Sequence, residues 1–267
     1  MPEFTSAGGG IHYQDTGGAG PVLVFSHSFG MTGAMFAPQL ALFAPTWRCI
    51  TWDERAHGRS PANGPFDFWD SARDLLGLLD HLDVASAVLV GTSQGGFLSL
   101  RAALTAPERI RGLAILGSSA AAEDAAQKAA FRQLLAAFVS DGPAQARDEV
   151  IEAMAQISFG PRFNADAQAE AWKAHWRRWP GDQMTLALEA LVERDDIRGR
   201  LAEITAPTLV MHGSDDGSYA PSFGEAIAAG VADCRGFVLV EGGAHFLSLT
   251  DPEPVNQALG SFLAGLG

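Results

Sequence analysis

The sequence predicts an α/β fold in which a mostly parallel central sheet carries helices on both faces and is interrupted by a helical insertion. Short, continuous apolar runs, which are typical of buried strands, alternate along the chain with longer segments of helical periodicity. Such alternation favours a parallel sheet, because each helix returns the chain to the same end of the sheet. A stretch from about residue 120 to residue 200 breaks this alternation, since it has helical periodicity and no convincing strand.

Six strands and four helices are predicted in chain order. The predicted strands of the first half are Val22–Ser26, Cys49–Trp52, Ala87–Val90 and Leu113–Leu116. The predicted helices of that half are Ala34–Phe43, Phe68–Leu82 and Gln94–Leu104. In the helix Phe68–Leu82, leucines recur at helical spacing, as packing on a sheet requires. Those of the second half are strands Leu209–Met211 and Phe237–Val240 and a closing helix, Val255–Leu263.

The insertion divides the predicted domain into two parts. We expect residues 1–119 and 201–267 to form one core domain, and residues 120–200 to form a helical cap, or lid. Three tryptophans of the cap share one helical face: Trp172, Trp176 and Trp179. We expect this stripe to pack the cap onto the core, a role compatible with lining an apolar pocket. The basic residues among them are interpreted as a solvated face rather than as a site for a substrate carboxylate: Lys173, Arg177 and Arg178.

Composition excludes several classes of function. The 267 residues are 47% hydrophobic and carry a formal net charge of −13, which argues against nucleic acid or an anionic membrane as a partner. The two cysteines are too few for a disulfide framework, and their positions offer no metal-ligand spacing. We see neither a signal peptide nor an apolar run long enough to span a bilayer, and therefore expect a cytoplasmic protein.

The most informative short segment is Gly91-Thr92-Ser93-Gln94-Gly95, between a predicted strand and a predicted helix. Gly-x-Ser-x-Gly in this setting is typical of a nucleophile elbow, a turn so sharp that the residues two before and two after the serine must lack side chains. The turn strains the serine backbone, and the following helix directs its free N–H groups towards any oxyanion formed beside the serine. Ser93 is therefore the predicted nucleophile.

A serine of ordinary pKa also needs a general base and an acid that orients it. With this type of elbow, the acid and then the histidine follow the serine along the chain. His-Gly-Ser-Asp-Asp at 212–216 and Glu-Gly-Gly-Ala-His at 241–245 each follow a predicted strand. Because the carboxyl ends of parallel strands meet at one edge of the sheet, both loops should converge on Ser93. His245 is the predicted base, and Asp215 and Asp216 are both candidates for the acid.

Taken together, these motifs resemble the α/β-hydrolase family. The resemblance rests on the motifs named above and on three further segments: His-Ser-Phe-Gly at 27–30, Asp-Glu-Arg-Ala-His-Gly-Arg-Ser at 53–60, and Asp-Pro-Glu at 251–253. Within the family, the chain looks most similar to the branch of 3-oxoadipate enol-lactonases and small esterases. The resemblance implies that Asp216 rather than Asp215 is the acid, and that the backbone N–H groups of Phe29 and Gln94 form the oxyanion hole.

The chain departs from the commonest family pattern at three positions. Ser28 and Ala56 stand where many relatives have glycine, and Gln94 stands where many have methionine. We expect Gln94 to add a polar side chain near the pocket floor.

The remaining histidines are interpreted as structural. His27 is expected to brace the oxyanion loop, and His57 and His212 to support family loops. No cluster of histidines and acids has metal-ligand spacing, so the sequence implies neither a metal nor a cofactor.

The expected function is that of a serine hydrolase that cleaves small to medium carboxylic esters or lactones through an acyl-enzyme. The expected partner is therefore a small-molecule substrate, held in a confined, largely apolar cavity beside Phe29. Four alternatives stay open: an acyltransferase or perhydrolase that uses the same triad, a hydrolase of C–C bonds, and a ligand-sensing receptor with vestigial turnover. The sequence does not predict whether the chain is a monomer or a homo-oligomer.

Overall fold

The central sheet positions every candidate site residue at one of its edges. A computed structural model describes residues 3–139, 144–161 and 166–266. In these residues the sheet has eight strands: β1 (Glu3–Ser6), β2 (Gly9–Asp15), β3 (Val22–Ser26), β4 (Arg48–Trp52), β5 (Ala87–Thr92), β6 (Ile110–Leu116), β7 (Thr208–Gly213) and β8 (Cys234–Val240). Their order is β1-β2-β4-β3-β5-β6-β7-β8. β1 and β2 pair in antiparallel fashion, as do β2 and β4, and all other neighbours are parallel.

Helices cover both faces of this sheet and fill the insertion. They are α1 (Ala37–Phe43), α2 (Phe68–His81), α3 (Gln94–Thr105), α4 (Ala125–Val139), α5 (Ala144–Phe159), α6 (Ala167–Arg177), α7 (Gly181–Val192), α8 (Pro221–Gly230), α9 (Leu247–Thr250) and α10 (Pro252–Ala264). None of the described helices is long and apolar enough to cross a bilayer.

The two faces of the sheet carry separate apolar clusters because successive strand side chains point to opposite sides. Val24 of β3 packs with Leu75 of α2 and Phe97 of α3 on one face. Leu23 of the same strand packs with Phe43 of α1 and Leu259 of α10 on the other. The predicted α/β fold with a mostly parallel sheet is thus confirmed.

The structure differs from the sequence prediction at several elements. β1 and β2 were not predicted. They form a short hairpin around Gly8, Gly9 and Gly10, and its outer strand, β1, is half-exposed and lacks the continuous apolar run that indicates a buried strand. The predicted helix Ala34–Phe43 is split into a 3₁₀ turn, Gly33–Phe36, and α1, which has proline at its second position. α8 and the short α9 were likewise absent from the prediction.

Helices α4–α7 lie between β6 and β7 and are joined to the core by two of the predicted tryptophans. The Trp176 indole N–H donates to the Gly30 carbonyl (2.7 Å), and that of Trp179 donates to the Ala56 carbonyl (2.8 Å). Trp172 is only partly buried. The packing role of the stripe is therefore confirmed, whereas the domain boundaries at 119/120 and 200/201 stay predictions.

The interpretation of the basic residues on α6 as a solvated face is wrong for one of them. Lys173 is 3% exposed, and its ammonium donates to Glu152 (2.7 Å) and Glu170 (2.9 Å). Helical periodicity alone could not reveal this pairing, because Glu152 belongs to a different helix, α5. Arg177 and Arg178 are exposed as expected.

Candidate active site

Ser93 occupies a strained turn between β5 and α3. Its backbone has φ 54° and ψ −115°, a left-handed conformation that residues other than glycine rarely adopt. A side chain at Gly91 would clash with the carbonyl of Gly95, and one at Gly95 would clash with the carbonyl of Ser26. The structure therefore gives the physical reason for both glycines of Gly-x-Ser-x-Gly: the backbone segments approach too closely for a Cβ atom.

Neighbouring strands hold this turn in place. The Ser93 backbone N–H donates to the carbonyl of Leu116 (2.9 Å), and the Ser118 hydroxyl donates to the carbonyl of Ser93 (2.8 Å). Strain at a single residue persists only when its surroundings hold it on several sides. β6 and the residues after it supply that restraint.

Asp216 and His245 come together at the same edge of the sheet. The Nδ1 atom of His245 lies 3.0 Å and 2.9 Å from the two carboxylate oxygens of Asp216. The Asp216 side chain is fully buried, whereas Asp215 is exposed and accepts a hydrogen bond from the Ser214 hydroxyl (3.0 Å). The structure thus places Asp216, and not its neighbour, against His245.

Several donors converge on the Asp216 carboxylate. Its Oδ1 accepts the backbone N–H groups of Ser218 (2.8 Å) and Tyr219 (2.9 Å), and its Oδ2 lies 3.3 Å from the His212 Nε2. Burial by itself would raise the pKa of Asp216, but the two histidines and the Tyr219 N–H outweigh it and hold the pKa well below its usual range. The carboxylate therefore stays ionised in a buried position, where it can stabilise a positive imidazole.

Gly117 is a site residue that the sequence analysis missed. It follows β6 with φ 51°, and a Cβ atom there would lie 3.2 Å from the Asp216 Oδ2 and 3.1 Å from the His245 carbonyl. Its position directly after a predicted strand, at the carboxyl edge of the sheet, was the available signal. No sequence motif distinguished it from other loop glycines.

Ser93 and His245 line one cavity of about 100 Å³. The other lining side chains are mostly apolar and come largely from α4, α5 and α7, with Trp176 of α6: Phe131, Leu134, Met154, Ile157, Trp176, Leu188 and Leu191. Phe29, Tyr219 and Phe246 of the core also border it. Among the described residues that line it, there is neither lysine nor arginine. Trp176 thus lines the cavity as well as packing the inserted helices onto the core.

The backbone amides of Phe29 and Gln94 have no hydrogen-bond acceptor among the described residues. Gln94 is the first residue of α3, where helix geometry leaves N–H groups unpaired. Phe29 lies in the loop after β3 and borders the same cavity as Ser93. Two unpaired N–H groups of this kind could donate hydrogen bonds to an oxyanion formed beside Ser93.

The Gln94 side chain does not lie near the cavity floor, so that expectation is wrong. It is absent from the cavity lining, and its Nε2 donates to the Glu54 carboxyl (2.7 Å) and lies 3.5 Å from the His57 Nε2. The start of α3 turns the side chain away from Ser93 and towards the loop after β4. That direction depends on tertiary packing, which a sequence motif does not encode.

His27 and His57 contact loops and do not border the cavity at Ser93. His27 donates through Nδ1 to the carbonyl of Ser28 (2.8 Å), a contact within the loop after β3, as expected of a structural histidine. His57 donates in the same way to the carbonyl of Arg55 (2.8 Å). Within the ranges that the structure describes, no group of three or more histidine, cysteine, aspartate or glutamate side chains could hold a metal ion.

A larger cleft of about 480 Å³ lies elsewhere, bordered by His12, Asp53, Arg59 and His175. Neither Ser93 nor His245 borders it. The smaller cavity is the candidate active site, because the described residues that border it include the strained Ser93 and His245, whose Nδ1 contacts the buried Asp216 carboxylate.

Comparisons with known proteins agree with this geometry. Residues 21–252 match the family described as alpha/beta hydrolase fold. The chain is 30% identical over 266 residues to a protein of Azorhizobium caulinodans that bears the name RutD and a provisional assignment as a carbamate hydrolase, and 98% of each chain is covered. It is 26% identical over 258 residues to 3-oxoadipate enol-lactonase 2 of Acinetobacter baylyi, with 90% of this chain and 87% of the relative covered.

A solved structure supports the same assignment. A thermophilic esterase from Thermogutta terrifontis superposes with a TM-score of 0.87 at 26% identity, over 99% of this chain and 98% of that chain. The resemblance inferred from the motifs is confirmed, and the chain belongs to the family with the alpha/beta hydrolase fold.

Proposed function

We propose that this protein is a serine hydrolase of uncharged carboxylic esters or lactones, with Ser93 as nucleophile, His245 as general base and Asp216 as the orienting acid. The observation that carries the proposal is the contact of the His245 Nδ1 with the buried Asp216 carboxylate, in a cavity that Ser93 also lines. A base held this way is what a serine of ordinary pKa requires.

The proposed reaction proceeds through an acyl-enzyme. Asp216 keeps the proton of neutral His245 on Nδ1, so that Nε2 can take the proton from the Ser93 hydroxyl while Oγ attacks the carbonyl carbon. His245 then returns that proton to the leaving alkoxide as the bond between carbon and the leaving oxygen breaks. Water, deprotonated by His245, then attacks the acyl-enzyme, and His245 returns this proton to the Ser93 oxygen as the bond between it and the acyl carbon breaks and the acid leaves. No cofactor enters this scheme.

The Phe29 and Gln94 amides are the proposed oxyanion donors. They have no hydrogen-bond acceptor among the described residues and flank the nucleophile. Donors of this kind act mainly on the transition state, where the carbonyl oxygen becomes negative.

The cavity supports a small, uncharged substrate. Its volume of about 100 Å³ is below the roughly 300–1,000 Å³ that is common for small-molecule sites, and its lining is mostly apolar. Burying a carboxylate in such surroundings without a cationic partner is costly. We therefore place neutral esters and lactones ahead of anionic substrates, even though two relatives are named for carbamate hydrolysis and for an enol-lactone.

The test compares the wild-type protein with Ser93→Ala over short-chain neutral esters, small lactones, a neutral carbamate and a carboxylated ester. We expect turnover of neutral esters or lactones by the wild type, a loss on the order of a million-fold in Ser93→Ala, and phosphonate labelling at Ser93 alone. The matched control is Ser158→Ala, which removes another hydroxyl from the same cavity and should retain activity.

Two outcomes would contradict the proposal. One is activity retained in Ser93→Ala, or a phosphonate bound to another residue. The other is a preference for the carboxylated ester over its neutral counterpart. An added short alcohol as a competing acceptor distinguishes hydrolysis from acyl transfer, because an acyltransferase would yield the new ester rather than the acid.

A further inference from the structure

Glu54, in the loop after β4, is a buried acid without an ionic partner. The residue is 1% exposed, and its Oε1 atom has no hydrogen-bond partner. The neighbouring Arg55 pairs with Asp74 instead, and within the described residues no lysine or arginine forms an ion pair with Glu54. A carboxyl buried in this way lowers stability compared with an apolar side chain of the same size. Its presence therefore calls for a role other than stabilising the core.

Glu54 reaches one of the proposed oxyanion residues through its side chain. Its Oε2 accepts a hydrogen bond of 2.7 Å from the Gln94 Nε2. Gln94 is the first residue of α3, and its backbone N–H is one of the two unpaired amides beside Ser93. The contact thus fixes the residue that carries this amide from the side opposite the cavity.

Glu54 reaches the other proposed oxyanion residue through its backbone. The Glu54 N–H donates to the His27 Nε2 (2.8 Å), and the His27 Nδ1 donates to the Ser28 carbonyl (2.8 Å). That carbonyl belongs to the same planar peptide unit as the Phe29 N–H, and the two groups point in opposite directions. Holding the Ser28 oxygen therefore sets the direction of the Phe29 N–H.

We propose that Glu54 is a positioning residue for the oxyanion hole. Its carboxyl holds Gln94 and its backbone N–H holds His27, so that one residue aligns the amides of both Gln94 and Phe29. This inference rests on the proposed hydrolase function. Glu54 does not touch the substrate, since it does not border the cavity with Ser93. It acts on the transition state only through the two amides.

The surroundings of Glu54 favour its uncharged form. Burial raises the pKa of its carboxyl well above the usual range, the Gln94 bond lowers it only in part, and the nearby Asp53 and Asp74 add to the rise. An uncharged carboxyl also avoids a negative charge close to the developing oxyanion. Glutamine, which keeps the accepting oxygen and has no charge, is therefore the conservative replacement.

The experiment measures kcat and kcat/KM for three variants on the best neutral ester. Glu54→Met removes the oxygen that accepts the Gln94 hydrogen bond, and we expect kcat and kcat/KM to fall together by about 10- to 100-fold. This loss is smaller than the roughly 10²–10³-fold cost of removing an oxyanion donor outright. Glu54→Gln should stay within about threefold of the wild type. Glu54→Asp retains the carboxyl but is one methylene too short, so it should resemble Glu54→Met and gives a second result if the methionine variant does not fold.

A double variant and a control separate positioning from a general loss of structure. If Glu54 acts through Gln94, Glu54→Met/Gln94→Met should lose no more activity than the worse single variant, because the two residues form one contact. Thr208→Val removes a buried hydrogen bond at the opposite end of the sheet, where the Thr208 hydroxyl donates to Ala206 (2.8 Å), and should change stability but not kcat.

The inference is overturned if Glu54→Met keeps the wild-type kcat, if Glu54→Gln loses as much as Glu54→Met, or if the losses in the single variants multiply in the double variant. A wild-type protein that turns over no ester or lactone and reacts with no phosphonate would instead reject the hydrolase proposal itself.

Discussion

At the scale of single residues, Asp215 and Asp216 show how one step along the chain changes the chemistry of a carboxylate. Asp216 is buried and accepts hydrogen bonds from two backbone amides and from His245. Asp215 is exposed and has the Ser214 hydroxyl as its donor. Only the buried carboxylate can hold the imidazole in one tautomer and stabilise its protonated form.

This difference predicts unequal effects of two identical substitutions. Asp216→Asn should lower kcat by roughly 10⁴-fold, because the amide presents the wrong hydrogen-bonding partner to the His245 Nδ1. Asp215→Asn is the matched control and should change kcat by no more than a few-fold. Steady-state rates on the same neutral ester check both, and a larger loss in Asp215→Asn would reject Asp216 as the acid.

At the scale of elements, the inserted helices α4–α7 form most of the apolar wall of the cavity at Ser93, whereas Ser93 and His245 reach it from the carboxyl edge of the sheet. A smaller cavity of about 20 Å³ shares Phe29, Phe131, Leu134, Met154 and Leu188 with the cavity at Ser93. It is further bordered by Phe138, Val150 and Met184, which do not border the larger one. These three side chains are therefore placed to limit the length of an apolar chain.

Shortening one of these side chains should shift the preference towards longer substrates. Met184→Ala joins extra volume to the cavity, and each further methylene that becomes buried contributes about 0.8 kcal/mol, or roughly fourfold in kcat/KM. We expect the best acyl chain to become longer by about two carbons, at a cost of about 2–5 kcal/mol in stability. The measurement is kcat/KM over a series of esters of increasing acyl length.

The matched control for this series is Leu186→Ala, on the same helix. Leu186 is partly buried and borders neither cavity. An unchanged chain-length optimum in Met184→Ala, or an equal shift in Leu186→Ala, would contradict the role of Met184.

At the scale of the whole molecule, buried titratable groups in the loops after β3 and β4 make stability depend on pH. Burial lowers the pKa of His27 well below 6.5 and lowers that of His57 to about 4. Below pH 6.5 the unfolded chain binds a proton at each imidazole that the folded protein does not, so stability falls as the pH falls. Glu54 has the opposite effect on stability, which it increases as the pH falls. Its raised pKa keeps a proton in the folded state that the unfolded chain loses above about pH 4.5.

The pKa of His175 is lowered as well, mainly by burial, so three imidazoles that lose stability on acidification stand against the single carboxyl of Glu54. The free energy of unfolding should therefore fall on acidification from about pH 6.5 to pH 4.5, by about 1.4 kcal/mol per pH unit for each proton by which the unfolded chain exceeds the folded protein. Urea unfolding at pH 7.5, 6.0 and 5.0 checks the slope. His57→Asn should make the free energy of unfolding less dependent on pH. A free energy of unfolding that rises from pH 6.5 to 5.0 would show that the imidazoles are not buried as neutral groups.

Much of the fold was predictable because its signals are local. The apolar runs of β3 to β8 and the periodicity of α2, α3 and α10 can be read within windows of 5–15 residues. β1 and β2 were missed because their stability comes from pairing with each other and with β4 rather than from an apolar run. The Lys173 pairing was missed for a similar reason, since its partners Glu152 and Glu170 include one from another helix.

The sequence by itself determined the turn at Ser93, the chain order of the candidate site loops and the alternation that makes the sheet parallel, because each depends on residue types at fixed short spacings. The tertiary structure was needed to see that Gln94 points to Glu54 instead of the cavity and that Gly117 must lack a side chain. It also places Asp216 against His245, a choice that the motifs alone left open and that only the family resemblance favoured. These are contacts between segments tens of residues apart along the chain. No local pattern encodes them, because they arise when the carboxyl ends of β3 to β8 are brought together at one edge of the sheet.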